Sequence, residues 1–139
     1  MASEALAGFG ALLNWDGVDI AELTNISGPT ETMDTIDVTS HDSPDTYREF
    51  VAGLRNGGDI SFEGNFIKGN ATGQIAMHTD FQAGEKKAWI IKLPGWVAGV
   101  PQISGNGFVT AFSMTYPYED KISLSGTIKV TGMPVLAAA

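Results

Sequence analysis

Hydrophobic and polar residues alternate with a period of two along much of this chain, the pattern of strands with one covered face. Near the C-terminal end, Ile122, Leu124, Gly126, Ile128 and Val130 alternate with Lys121, Ser123, Ser125, Thr127, Lys129 and Thr131. Phe108, Thr110, Phe112, Met114 and Tyr116 alternate with Val109, Ala111, Ser113 and Thr115. Ile60, Phe62, Gly64 and Phe66 form a third apolar row, and Lys87, Trp89, Ile91 and Leu93 a fourth. At the start, Phe9, Ala11, Leu13 and Trp15 form another, and Asp16-Gly17 predicts a hairpin turn into a strand over 18–27. Around 31–40 only Ile36 and Val38 are apolar on one face, so that strand is expected to be more polar.

One helix is expected between Asn70 and Ala83. Asn70 suits an N-cap, and Gly84 suits the position just past the C-terminus. Met77 and Phe81 lie four apart on one face while Ile75 points elsewhere, so the amphipathic period is poor. Asn70-Ala71-Thr72 also matches a glycosylation acceptor, but no secretory signal precedes it, and it reads as a cap.

Two segments do not read as strands. Residues 39–57, TSHDSPDTYREFVAGLRNG, are polar and long for a connection within a compact domain; loops of that length are usually functional or disordered. Tyr47, Phe50, Val51 and Leu54 recur there at three- and four-residue spacing, which predicts a short helical turn with apolar side chains to bury. Residues 94–105 place Pro94, Gly95, Gly99, Pro101 and Gly105 around Trp96 and Val97, a turn-rich connection with one buried aromatic. No linker, repeat or low-complexity tract divides the chain, so its 139 residues are expected to form one mainly β domain.

Composition narrows the chemistry. The chain has no cysteine, which excludes disulfides, thiolate metal sites and thiol catalysis. No apolar run approaches the roughly 20 residues of a membrane helix, so no membrane partner is expected. The net charge is -8, unevenly spread: residues 1–47 sum to -9 with no Lys or Arg, and residues 48–139 sum to +1. An acidic chain without a basic block is poorly suited to gripping phosphates.

Catalytic constellations are missing. His41 beside Asp42 and Asp45 matches no metal spacing and reads as a surface turn around Pro44. His78 with Asp80 reads as structural within the helix. Asp34 and Asp37, three apart on one strand, point to opposite faces and make no acid–base pair. There is no glycine-rich phosphate loop, nucleophile elbow or H-E-x-x-H. No enzymatic activity, cofactor or metal is therefore expected. Most aromatics sit on the apolar rows and read as core; Trp96, Tyr116 and Tyr118 fall in or beside turns.

The stretch 31–66 resembles the tail tube (major tail) proteins of long-tailed bacteriophages. The resemblance rests on Asp37-Val38-Thr39 at a strand end, then Tyr47-Arg48-Glu49-Phe50-Val51-Ala52-Gly53-Leu54, then Gly58-Asp59-Ile60-Ser61 opening the next strand. The close match covers about a quarter of the chain, and the order of strands and helix agrees over nearly its full length.

The resemblance implies a β-sandwich or barrel flanked by one α-helix, with a long inter-strand loop. It implies six copies in a ring, rings stacked into a hollow tube, and DNA passing from capsid to host through the lumen without specific binding. Residues 39–57 would then be the inter-ring loop, with Asp42, Tyr47, Arg48, Glu49, Phe50, Leu54 and Arg55 in its contacts. Residues 1–8 and 132–139 would be terminal arms that order on assembly. The implied partners are further copies of the chain with tape-measure, tail-terminator and baseplate or tip proteins. The implied location is the virion tail, after assembly in the host cytoplasm.

Exposed sheet edges invite pairing between copies, and polar faces such as Ser123, Ser125 and Thr127 suit a wet lumen. Fixed carboxylates there would keep phosphates from sticking. Asp34 and Glu63 are the candidate lumen acids, because each sits on a strand among polar residues. Two alternatives share part of this pattern: a type VI or contractile-injection tube protein, and a monomeric β-sandwich binding module.

Overall fold

The computed structural model describes residues 10–20, 22–67, 73–93 and 101–138. Nine strands and one α-helix follow in chain order: β1 (Leu12–Trp15), β2 (Val18–Asp19), β3 (Leu23–Ser27), β4 (Thr32–Asp37), β5 (Phe50–Asn56), β6 (Asp59–Asn65), α1 (Gln74–Ala83), β7 (Lys87–Lys92), β8 (Pro101–Thr115) and β9 (Ser123–Ala138). Seven strands make one sheet in the order β2-β1-β7-β8-β9-β6-β3. It curls into a half-barrel. Among the described residues, strands β4 and β5 pair only with each other. The fold is thus mainly β with one flanking helix, as expected.

Most of the alternating rows become the sheet's covered face; on β8 the register shifts between Val109 and Ala111, and Val109, from the opposite row, is the residue buried. Ile60, Phe62, Leu124, Ile128 and Val130 are buried with Leu13, Trp15, Trp89, Ile91 and Val109. Register keeps them together: Trp15 pairs with Trp89, Leu13 with Ile91, and Ile60 with Ile128. Gly126 is opposite Phe62, and a Cβ added there would run into the Phe62 ring. The glycine thus makes room for an aromatic ring that fills the core.

Helix α1 lies across this face. Met77 is fully buried beneath it, and the Trp15 indole N–H donates to Asp80 Oδ2 at 2.8 Å, tying helix to β1. Buried Gln74 fastens the first turn to the end of β6. Its Nε2 donates to the Asn65 carbonyl at 2.9 Å, and its Oε1 accepts from the Ile67 N–H at 2.8 Å. Gly84, at φ 67, closes the helix, with its N–H on the Phe81 carbonyl and the Glu85 N–H on the Asp80 carbonyl. These two bonds satisfy carbonyls that the helix end leaves open. Phe81 is partly exposed rather than paired with Met77 in the core, and it stacks on His78.

Several local expectations change. The helix begins at Gln74 after Gly73, which offers no side-chain cap, and Asn70 lies outside the described residues. The strand expected over 18–27 is broken between β2 and β3, where Glu22 takes φ 51. The turn before it is as expected, with Asp16 at φ 52 and Gly17 at φ 84. Residues 101–105, expected as turn, are strand: Gln102 and Ile103 pair with Ala137 and Leu136. The span 132–138, expected as an arm, is therefore the outer half of β9. Trp96, residues 1–8 and Phe9 lie outside the described residues.

Among the described residues the sheet does not close. Its edges, β2 with β1 on one side and β3 on the other, leave a cleft of about 700 Å³ between them, lined by residues including Leu12, Ile20, Leu23 and Ile26. Open edges carry unpaired backbone groups ready for another strand.

Substituting Gly126→Ala is expected to destabilise the fold by about 1–3 kcal/mol through overpacking. Denaturant unfolding measures it, and Phe62→Leu in the same chain should recover part of the loss because the two sites share one space.

Candidate assembly interface

Residues 28–58 leave the sheet between β3 and β6. The segment 39–57 proves to be only partly loop: β5 occupies Phe50–Asn56, and the connection back to β4 is a short tip with one 3₁₀ turn at Pro44–Thr46. The expected helical turn through Tyr47, Phe50, Val51 and Leu54 is instead the tip end and an extended strand. Register pairs Ile36 with Val51, Asp37 with Phe50, Thr35 with Ala52, and Met33 with Arg55, with a shift opposite Gly53 and Leu54. Successive residues of a strand point to opposite faces. Ile36 and Val51 therefore lie on one face of the arm, and Phe50, Ala52 and Met33 on the other.

Neither face is covered. Every residue of β4 is exposed, and β5 is exposed except for half-buried Gly53. Leu54 is 84% exposed, Tyr47 75% and Phe50 54%. The arm meets the sheet at its root. There a Cβ on Gly57 would strike Val130, Gly58 lies at φ 73 against Thr30, and the Val130 N–H donates to the Gly58 carbonyl at 2.9 Å. A two-stranded hairpin is at best marginally stable in water by itself.

The tip is nevertheless organised, and by the motif residues themselves. Asp37 Oδ1 accepts from the Thr39 N–H at 2.8 Å, and Arg48 Nη1 reaches Asp37 Oδ2 at 3.2 Å. The Glu49 N–H donates to Thr39 Oγ1 at 2.8 Å, and Ser43 Oγ donates to Glu49 Oε2 at 2.7 Å. The Val38 N–H donates to the Glu49 carbonyl at 2.9 Å. The D-V-T and Y-R-E pieces thus form one polar clasp across the two strands. The Thr39 hydroxyl and N–H, with help from Arg48, hold the Asp37 carboxyl below its ordinary range.

Among the candidate contact residues, Asp42, Tyr47, Arg48 and Glu49 stand in the tip, and Phe50, Leu54 and Arg55 on β5. Arg48 and Glu49 hold the clasp; Tyr47, Phe50 and Leu54 present apolar surface. Met33 on β4 belongs to the same arm and was hidden in a segment that reads as polar. The two candidate lumen acids are not brought together. Asp34 lies in the arm, where its backbone closely faces Gly53. Glu63 lies on the sheet, opposite Ser125 and Asn25.

The uncovered face of β3, β6, β9 and β8 is a separate feature. Asn25, Ser27, Ser61, Glu63, Ser113, Ser125 and Thr127 line a shallow concavity there. Asp59 and Lys129, opposite each other in register, form an ion pair at 3.7 Å on the same face. Among the described residues Glu63 is thus the unpaired charge in a field of hydroxyl and amide groups. Among the described residues no three His, Asp or Glu converge as a metal site, and no helix is long and apolar enough to cross a membrane.

Comparison with known proteins places this arrangement. The family described as the lambda phage tail tube protein, TTP, matches residues 7–137. A comparison with curated protein sequences returns no match. Among solved structures, the tail of an empty gene transfer agent (GTA) particle, refined helically with C6 symmetry, shares 24% identity at a TM-score of 0.75, covering 96% of this chain and 100% of that one. The sheath/tube terminator structure of the extracellular contractile injection system PVC shares 15% at 0.79, covering 99% and 100%. The SPP1 tail tube shares 10% at 0.73, covering 97% and 80%. At these identities the likeness concerns the fold.

Because the Asp37 carboxyl is held below 3.8, its contribution to the clasp is full above pH 3.8 and is lost as pH falls through the lowered value. The Thr39 amide shift should therefore titrate with a midpoint below 3.8 in NMR. Asp37→Asn should speed Thr39 amide exchange several-fold while leaving the exchange of β8 and β9 unchanged.

Proposed function

The chain belongs to the lambda phage tail tube protein family, and from that premise we propose that it assembles as stacked hexameric rings whose lumen conducts DNA from capsid to host. Its role is structural rather than enzymatic, as a tube component of the virion tail. The family match sets aside a monomeric binding module and favours the phage tube over a type VI or contractile-injection tube, although the fold is common to these tubes.

The observation that carries the reading is the arm. Hydrophobic side chains on both its faces, outside any core, require cover from other molecules. Two open edges on a curled sheet add a second requirement, met when β3 of one copy pairs with the β1–β2 edge of the next and the half-barrels join into one wall. The C6 symmetry of the GTA tail supports six copies in such a ring.

With the half-barrels joined, the hydroxyl-rich face of β3, β6, β9 and β8 lines the passage. The route to low friction then differs from simple acidity. Asp16 and Asp19 sit at the β1–β2 turn, and Asp34, Asp37, Asp42 and Asp45 on the arm, so most of the N-terminal acid excess lies off this face. On the face, Lys129 is neutralised by Asp59, and Glu63 adds one repelling charge per copy. Among the described residues of this face a polyanion meets small neutral groups and no free cation, so it has little to adhere to.

Assembly in the host cytoplasm would use a tape-measure protein to set length, a terminator to end growth and a baseplate or tip protein to start it. Residues 1–8 and the end of β9 would join the ring contacts.

Electron microscopy of the concentrated protein, or of particles carrying it, tests the reading: hollow tubes of uniform width and six-fold symmetry are expected. A chain absent from the particle shaft would contradict it. Leu54→Glu is expected to change folding stability by no more than about 0.5 kcal/mol, as exposed substitutions generally do, while abolishing tubes. Glu63→Lys is expected to leave tube width unchanged and to slow DNA delivery, measured by ejection kinetics.

A further inference from the structure

Asparagine followed by glycine occurs twice, at Asn56-Gly57 and at Asn106-Gly107. The pair is chemically special because glycine has no Cβ to shield its nitrogen or to resist turning of the peptide plane. That nitrogen can reach the asparagine carboxamide and close an imide ring. Both asparagine side chains are exposed, so access to water does not separate the two sites. Backbone freedom does.

Asn106 and Gly107 lie inside β8 with a strand on each side. Asn106 pairs with Ala88 and with Thr131, and Gly107 with Lys87 and with Val130. A Cβ on Gly107 would strike the Lys129 carbonyl, so the neighbouring strand sits hard against it. Closing the ring there means turning a peptide out of the middle of the sheet. Asn56 is instead the last residue of β5, and among the described residues its backbone pairs on one side only, with Thr32. It belongs to the arm that has no core, and such a hairpin opens locally far more readily than central strands do. The side chain is also poised. The Gly58 N–H donates to Asn56 Oδ1 at 2.8 Å, which holds the carboxamide folded back beside Gly57 and polarises its carbonyl toward attack at Cγ.

We infer that Asn56 is a self-modification site, at which the uncovered arm converts its own root to a carboxylate. When the arm opens, the Gly57 nitrogen bonds to Asn56 Cγ and the Cγ–Nδ2 bond breaks. Nδ2 leaves as ammonia, carrying the proton that the Gly57 nitrogen gives up. Water then adds to the imide and opens it. Opening at Cγ leaves aspartate; opening at the main-chain carbonyl leaves isoaspartate, with the chain running through Cγ. Water is the one co-reactant, and nothing is oxidised or reduced.

Isoaspartate lengthens the backbone by a carbon between β5 and Gly57. The root has no room for it. Gly57 is seated against Val130 and Gly58 against Thr30 too closely for an added side-chain carbon, and the Val130 N–H is fixed on the Gly58 carbonyl. The modified arm therefore loses its register at Thr32 and its aim from the sheet. The chemistry is independent of the tube reading, while its consequence rests on it: a covered arm stays closed and keeps its amide, and chains left dispersed age into a form that no longer fits.

The dispersed chain is held at mildly alkaline pH, which favours loss of the Gly57 amide proton, and its proteolytic peptides are followed by mass spectrometry, with isoaspartyl methyltransferase labelling to score isoaspartate. The Asn56 peptide is expected to convert at least about tenfold faster than the Asn106 peptide, to give both products, and to convert faster as pH rises. Asn56→Gln, whose longer side chain closes the ring far less readily, is expected to leave that peptide unmodified. Equal rates at the two sites, faster conversion at Asn106, or no conversion at Asn56 overturns the inference, and none of these readings needs a tube. In assembled tubes the same treatment is expected to leave Asn56 an amide; conversion there as fast as in the dispersed chain overturns the protective part. Failure of the tube reading is seen separately, as absence of the chain from any tube by microscopy.

Discussion

Among the described residues the arm from Thr32 to Asn56 has two strands and no third layer, so within the single chain its apolar side chains stay in water. Everything else follows from where that exposure is placed. The seven-stranded sheet has its own core, in which Trp15, Phe62, Trp89 and Ile128 are buried. The arm draws nothing from that core. It hangs from Gly57 and Gly58, where the backbone passes too close to Val130 and Thr30 for a side chain. The division gives one chain a body with its own core and an appendage without one.

Preorganisation limits what covering that appendage costs. The clasp of Asp37, Thr39, Arg48 and Glu49 fixes the tip before any partner arrives, so less conformational entropy remains to be lost on docking. Each bond is exposed and weak alone, and an isolated surface ion pair such as Arg48–Asp37 adds little to stability. Their joint effect is geometric: they hold Tyr47 and Phe50 out from the tip while the strands keep register.

The sheet was largely legible from alternation because burial on one face writes a period of two into residues such as Ile122, Leu124, Ile128 and Val130. The arm was not. With no core against either face, apolar residues occur on both, and Tyr47, Phe50, Val51 and Leu54 fall by chance at helical spacing. The outer half of β9 was expected as an arm only through the resemblance, and its backbone instead continues to pair with β8. Helix α1 gave a poor period because only Gln74 and Met77 are buried among its residues. The motif pointed to the correct family for a reason visible only in three dimensions: its polar members bond to one another across twelve residues. Asp34 and Glu63 both read as strand residues among polar neighbours, yet Asp34 stands on the arm and Glu63 on the hydroxyl-rich face of the sheet.

The account's central claim is that the arm is incomplete in the free chain and completed by assembly. Amide hydrogen exchange on the dispersed protein and on assembled tubes measures this residue by residue. The account predicts that β4 and β5 exchange orders of magnitude faster than β8 and β9 in the dispersed chain, and become comparably protected in the tube. Equal protection of all four strands in the dispersed chain, unchanged on assembly, would contradict it.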